Sequence, residues 1–131
     1  MSSAERPEFF LDRSLGRITA NRLRDAGYVV HLIADHYAND ASDIPDEQWI
    51  AEGCLNGWIL LTKDKRIRYR AAEFEALVQG HLFCLVGGNL DTEGMAAAFL
   101  SAMSKIEHAV RHGRVGFWHV YRDGTIKRMW P

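Results

Sequence analysis

Two rhythms of hydrophobic and polar positions alternate along this chain. Residues 8 to 11, EFFL, form a short apolar run that stops at Asp12. Residues 14 to 26, SLGRITANRLRDA, then take helical spacing, with Leu15, Ile18 and Leu23 expected on one face and Gly27 as the stop. YVVHLI, residues 28 to 33, is β-branched and aromatic and predicts a second strand, while ADHYANDASDIP behind it has the composition of a loop. Asp43 or a neighbour is a candidate cap for a helix that takes Pro45 at its first turn and runs from Asp46 through Leu55. Gly57 closes that helix, and residues 58 to 62 supply a third strand.

Helical spacing returns over residues 66 to 79, and HLFCLVG reads as a fourth strand. Met95, Phe99, Met103, Ile106 and Val110 then mark the apolar face of a long helix from Thr92 to His112. The closing stretch RVGFWHVYRDGTIKRMW divides into two strand-like pieces around Asp123 and Gly124, a dipeptide typical of tight hairpins. Such alternation predicts an α/β domain with a mostly parallel sheet covered on both faces and the hairpin as an antiparallel appendage. The expected organisation is one domain over residues 1–131, with a core at 8–112 and the hairpin at 114–131.

Composition narrows the functional classes. With 131 residues, 47% of them hydrophobic and 25% charged, the chain suits a folded core rather than a disordered or fibrous protein. A formal net charge of -1 excludes wholesale attraction to nucleic acid and leaves local patches as the only electrostatic handle. The start, MSSAERPEF, lacks the basic-then-apolar order of a secretory signal, and no window approaches the roughly 18 apolar residues of a membrane span. A cytoplasmic location is expected. Cys54 and Cys84 lie in apolar surroundings, as buried thiols of a reducing compartment rather than a disulfide.

Ligands of a parallel sheet bind beyond the carboxyl ends of its strands. Three acids fall there: Asp12 after the first strand, Asp64 after the third, and Asp46 at the start of the helix that leads into the third. Each alone also suits a helix cap. Together they need a counter-charge, because two carboxylates ~4 Å apart repel by about 4 kcal/mol at an effective dielectric near 20. Mg²⁺ or Mn²⁺ is the natural partner for carboxylate oxygens, and such an ion serves attack of water on phosphorus. Thr62, at the strand tip, is a candidate to hydrogen-bond and orient a neighbouring carboxylate. Lys63, Lys65, Arg66, Arg68 and Arg70 surround Asp64, with Arg13 and Arg17 near the first acid. They read either as an RNA-phosphate surface or as a solvated helix face.

Other signals are weaker. His108 and His112 have the i, i+4 spacing of a zinc pair but lack the HExxH order, so an exposed helical turn is the better reading. VGGN, residues 86 to 89, lacks the Lys-Ser or Lys-Thr of a P-loop. His36 lies at the active edge without an assigned role, and Trp49, Trp58 and Trp118 suit packing. Trp130 and Met129 at the chain end form a candidate partner surface. Haloacid-dehalogenase-type phosphatases need two aspartates one residue apart at the first strand, where this chain has Asp12, Arg13 and Ser14. Receiver domains need an acidic pair there, and only Asp12 is present.

FFLDRSLG, DIPDEQW and GWILLTKDK, in that order, resemble the PIN domain, in particular its VapC-like branch, whose third motif is a strand ending in Thr-x-Asp. The resemblance spans roughly residues 8 to 90, and FWHVYRDGTIKRMW resembles the terminal hairpin of short bacterial members. It implies a three-layer PIN-like domain acting as a Mg²⁺- (or Mn²⁺-) dependent endoribonuclease, the toxin of a bacterial type II toxin–antitoxin pair. RNA is then the substrate, a cognate antitoxin the protein partner, and a second copy of the chain a further one. The resemblance assigns Asp12, Asp46 and Asp64 as the metal-holding, catalytic acids, with Glu47 as the alternative to Asp46 within one residue of register. Many members carry a fourth acid after the fourth strand; VGGNLD offers Asn89 or Asp91, which leaves the number of metal ions open. Arg13, Lys63, Lys65 and Arg66 are the candidate substrate contacts. The alternative is a catalytically silent PIN-like module that binds RNA or protein.

Overall fold

The computed structural model describes residues 7–38, 43–64, 75 and 80–131. Strand β1 (Glu8–Leu11) leads through a 3₁₀ turn, Arg13–Leu15, into helix α1 (Gly16–Asp25). Strand β2 (Val29–Leu32), the short helix α2 (Ile33–His36) and helix α3 (Asp46–Leu55) follow, then β3 (Ile59–Thr62) and β4 (His81–Val86). Helix α4 (Thr92–Arg111) connects to β5 (Gly116–Tyr121) and β6 (Ile126–Trp130). The helix expected over 66–79 lies, apart from residue 75, outside the described residues.

All six strands form one sheet in the order β2-β1-β3-β4-β5-β6. Every neighbouring pair up to β5 is parallel, and only β6 runs antiparallel, against β5. The terminal hairpin is therefore more than an appendage. Its first strand is the fifth parallel strand, returned to the sheet by the crossover through α4.

Period-two alternation sorts each strand between the two faces. Phe9, Leu11, Leu61, Phe83, Leu85 and Val120 meet α1 and α4 on one side. Phe10, Leu60, Leu82, Cys84 and Phe117 meet Trp49 and Ile50 of α3 on the other. Helices on both faces make three layers.

Details of the helices depart from expectation in three places. In α1, steps of four from Leu15 lead to the buried Thr19 and Leu23, whereas Ile18 falls off that arc and is 47% exposed. Asp43 gives α3 no cap, since Pro45 takes the N-cap position and its carbonyl accepts the Gln48 N–H at 3.1 Å. The stretch expected as a loop after β2 opens with the helical turn α2. Trp130 and Met129 are half-buried against the α3-side core. Both cysteines are free thiols, and burial pushes the Cys54 thiol up to about 11. Among the described residues no helix is long and apolar enough to cross a membrane.

Gly116 opens β5 with φ +126°, and a Cβ there would collide with the Trp130 carbonyl oxygen of β6. Gly116→Ala combines a left-handed-side backbone with an unavoidable clash, so it should cost about 2 kcal/mol of unfolding free energy. Urea denaturation checks this, and an unchanged midpoint would show that the β5–β6 pair yields to a side chain.

Candidate active site

Because the first five strands are parallel, their carboxyl ends share one edge, and the helices between them start there. The chain steps from β1 to β2 on one side and later to β3 on the other, so the strand order reverses around β1 and leaves a crevice between β1 and β3. Pairing of Leu11 with Leu61 sets Asp12 beside Thr62 in that crevice, and the Asp12 N–H donates to the Leu61 carbonyl at 3.0 Å.

The Asp12 carboxylate is held by hydroxyl groups. Thr62 Oγ1 donates to its Oδ2 at 2.7 Å, and Ser14 Oγ donates to the same oxygen at 2.8 Å. Thr62 is fully buried, and its Oγ1 also accepts the Asp64 N–H at 3.0 Å. The Lys63 N–H reaches Ser14 Oγ at 3.3 Å. One threonine hydroxyl thus fixes the carboxylate of Asp12 and the backbone of Asp64 together.

Burial raises the pKa of Asp12 above the ordinary aspartate value, and the negative charge of Asp46 raises it further; the Thr62 and Ser14 hydroxyls act in the opposite direction. Asp46 is half-buried at the start of α3, and the Trp49 Nε1–H donates to its Oδ1 at 2.9 Å. Trp49 is 1% exposed, so the indole is a fixed post that aims the acid. Glu47, one residue on, is exposed. Asp12 therefore senses the charge of Asp46, and Asp64 is half-buried next to the Thr62 hydroxyl through its backbone. Among the described residues, no three His, Cys, Asp or Glu side chains are gathered so that they could hold a metal ion together.

The remaining candidates divide. Asp91 is the N-cap of α4, accepting the Gly94 N–H at 2.7 Å. Asn89 is exposed and lines a cavity with Lys63. Arg13 is exposed beside a second cavity of about 220 Å³ that Asp12 also lines. Arg17 makes a two-point ion pair with Asp35, at 2.6 and 3.1 Å, which draws the Asp35 carboxyl below its usual range. Lys65, Arg66, Arg68 and Arg70 lie outside the described residues. His36 packs against the Phe10 and Trp58 rings, and His108 and His112 are an exposed ring pair 4.2 Å apart. Sequence reasoning did not single out Ser14 or the role of Trp49. A hydroxyl two residues after a candidate acid and a Trp one helical turn after another were the available signals.

An oxygen-only donor set suits a hard divalent cation, and the raised pKa of Asp12 beside a second acid is the condition such a cation would relieve. A carboxylate offers about four lone-pair sites, so two hydroxyl bonds on Oδ2 leave capacity for an ion. The oxygen donors of Asp12 and Asp46 are thus compatible in kind with a hard divalent cation.

Comparison with known proteins bears on the family of the chain. Residues 7–87 match the model of a family described as PIN like domain. A protein of Mycobacterium tuberculosis (strain ATCC 25618 / H37Rv) named "Putative ribonuclease VapC45" is 33% identical over 112 residues, covering 82% of this chain and 81% of that one. No solved structure matches.

An acid whose folded-state pKa is raised favours folding below its unfolded-state pKa and loses that contribution as pH rises through the folded-state value. Metal-free Asp12→Asn should therefore be more stable than the parent at pH 7, with the gain vanishing in acid. Thr62→Val should act oppositely at pH 7 and cost about 1–3 kcal/mol, since it strips a buried carboxylate of a donor. Melting curves across pH, with chelator present, read both; a less stable Asp12→Asn at pH 7 would contradict the desolvated-carboxylate picture.

Proposed function

The chain belongs to the PIN-like domain family, and from that premise we propose that it is a divalent-metal-dependent endoribonuclease that hydrolyses RNA phosphodiester bonds. The observation that carries the reading is the desolvated Asp12 carboxylate, clamped by Thr62 and Ser14 beside Asp46 at the reversal point of the sheet. Such a group is unfavourable for the fold alone and is what a site for cations and phosphate requires.

Asp12, Asp46 and Asp64 would hold Mg²⁺ or Mn²⁺. When bound, the ion supplies Lewis-acid neutralisation of phosphoryl charge and lowers the pKa of water. The chain's own residues do the positioning. Thr62 and Ser14 fix the rotamer of Asp12, Trp49 fixes that of Asp46, and the Thr62 bond to the Asp64 N–H fixes the start of the segment after β3. Asp46 rather than Glu47 is the middle acid, because it is the half-buried one whose charge reaches Asp12. Arg13, exposed beside Asp12, and Lys63, at the neighbouring cavity, serve as cations for the RNA backbone. The biological setting we infer is that of the toxin of a type II toxin–antitoxin pair, acting in the cytoplasm and restrained by a cognate antitoxin protein.

A silent RNA- or protein-binding module is the second reading, favoured by the lack, among the described residues, of three acids gathered so that they could hold a metal ion together. One experiment separates the two. Wild-type protein with Mg²⁺ should cleave a mixed single-stranded RNA pool, and the ion should raise its melting temperature by mass action. Asp12→Asn should lose both, and Asp64→Asn should lose at least 100-fold in cleavage, on the order of 2.7 kcal/mol. RNA binding with neither cleavage nor a metal-induced shift would instead establish the binding module.

A further inference from the structure

Next to the crevice, across β3 and β4, lies a cavity of about 320 Å³ that none of the candidate acids lines. Its wall is Lys63 from the end of β3 and the turn Gly87, Gly88 and Asn89 that leaves β4, over an apolar floor of Leu85 and Met95. Gly87 and Gly88 both have positive φ, +91° and +74°, and a Cβ at Gly88 would stand only 3.7 Å from Nη1 of Arg122. Arg122 follows directly after β5 and stands near Gly88, while Lys63 lines the cavity, so two cations lie close to the same glycine turn.

Neither cation is neutralised. Among the described residues no ion pair joins Lys63 or Arg122 to an acid, and both are exposed. Two acids near the turn and the hairpin are engaged elsewhere. Asp91 caps α4 through the Gly94 N–H, and Asp123 accepts the N–H and hydroxyl of Thr125 within the hairpin turn. Two exposed cations beside a concave turn that carries two consecutive glycines suit an anion, since at Gly87 and Gly88 the backbone meets a ligand without a Cβ in the way. The apolar floor suits a sugar or base more than a bare ion.

We infer that the cavity lined by Lys63 and Gly88, with Arg122 standing beside Gly88, is a second phosphate subsite, which seats a backbone phosphate of single-stranded RNA one or more nucleotides away from the bond to be cut. This inference rests on the ribonuclease reading and adds to it a direction: the strand crosses the sheet edge from the Asp12 crevice toward β5. The connecting cation, Arg122, comes from the terminal hairpin, which gives that hairpin a part in substrate binding.

The test uses salt dependence, because a residue that only supports the fold leaves it unchanged. Each cation that contacts a phosphate of a single strand contributes about 0.7 to the slope of log K against log salt. Binding of a short, labelled, mixed-sequence single-stranded RNA is measured by anisotropy in the Asp12→Asn background, where no cleavage interferes. Lys63→Ala and Arg122→Ala should each weaken binding several-fold and lower the slope by about 0.7, and together by about 1.4. Arg111→Ala is the control for net charge, lying at the other end of the 20-residue α4. It should leave the slope at the parent value. If both cavity variants match the control while the wild type cleaves RNA, the subsite is overturned and the ribonuclease reading stands. If the wild type neither cleaves nor binds RNA, both fall.

Discussion

A carboxylate taken out of water must be held by donors that do not cancel its charge, and at Asp12 those donors are two hydroxyls. Thr62 is the one on which most depends. Its buried Oγ1 donates to Asp12 across the β1–β3 pair and accepts the N–H of Asp64, so the tips of two strands are locked to each other by one atom. That arrangement depends on strand register. Leu11 stands opposite Leu61, which sets Asp12 against Thr62, and a slip of one residue would turn every side chain of one strand to the other face.

Charge at this edge is ordered rather than abundant. Asp12 stands in the crevice where the sheet order reverses, with Arg13 exposed beside it and Lys63 at the neighbouring cavity. Arg17, which in sequence belongs to the same basic patch, is instead joined to Asp35. A net charge of -1 for the whole chain therefore says little about the local field. The likeness to a relative named as a ribonuclease bears on the same edge, since the family match at residues 7–87 spans β1 through β4 and all three candidate acids.

Much of the fold was legible because the two hydrophobic periods are well separated along the chain. The limits of α3 follow from Pro45 and Gly57, and the five apolar positions of α4 from simple spacing. Ile18 was misassigned since a three-residue step from Leu15 and a four-residue step lead to different sides of a short helix. The membership of β5 in the parallel sheet was hidden because the Asp123–Gly124 turn is a local signal, while the pairing of β4 with β5 is made over the length of α4. For the site, the acids were visible as residues that stop apolar runs, and the Thr62 bond to a neighbouring carboxylate was expected and is present. Ser14 and Trp49 were not visible as partners of the candidate acids, for their bonds to Asp12 and Asp46 are side-chain contacts that no spacing pattern announces.

The central claim is that Asp12, with Asp46 and Asp64, forms the cation-binding heart of this edge, and a crystal grown with Mn²⁺ tests it most directly. Anomalous difference density should show a peak in contact with the Asp12 carboxylate, absent from crystals of Asp12→Asn. Mn²⁺-dependent RNA cleavage by a protein whose anomalous map has no peak at Asp12 would contradict the account.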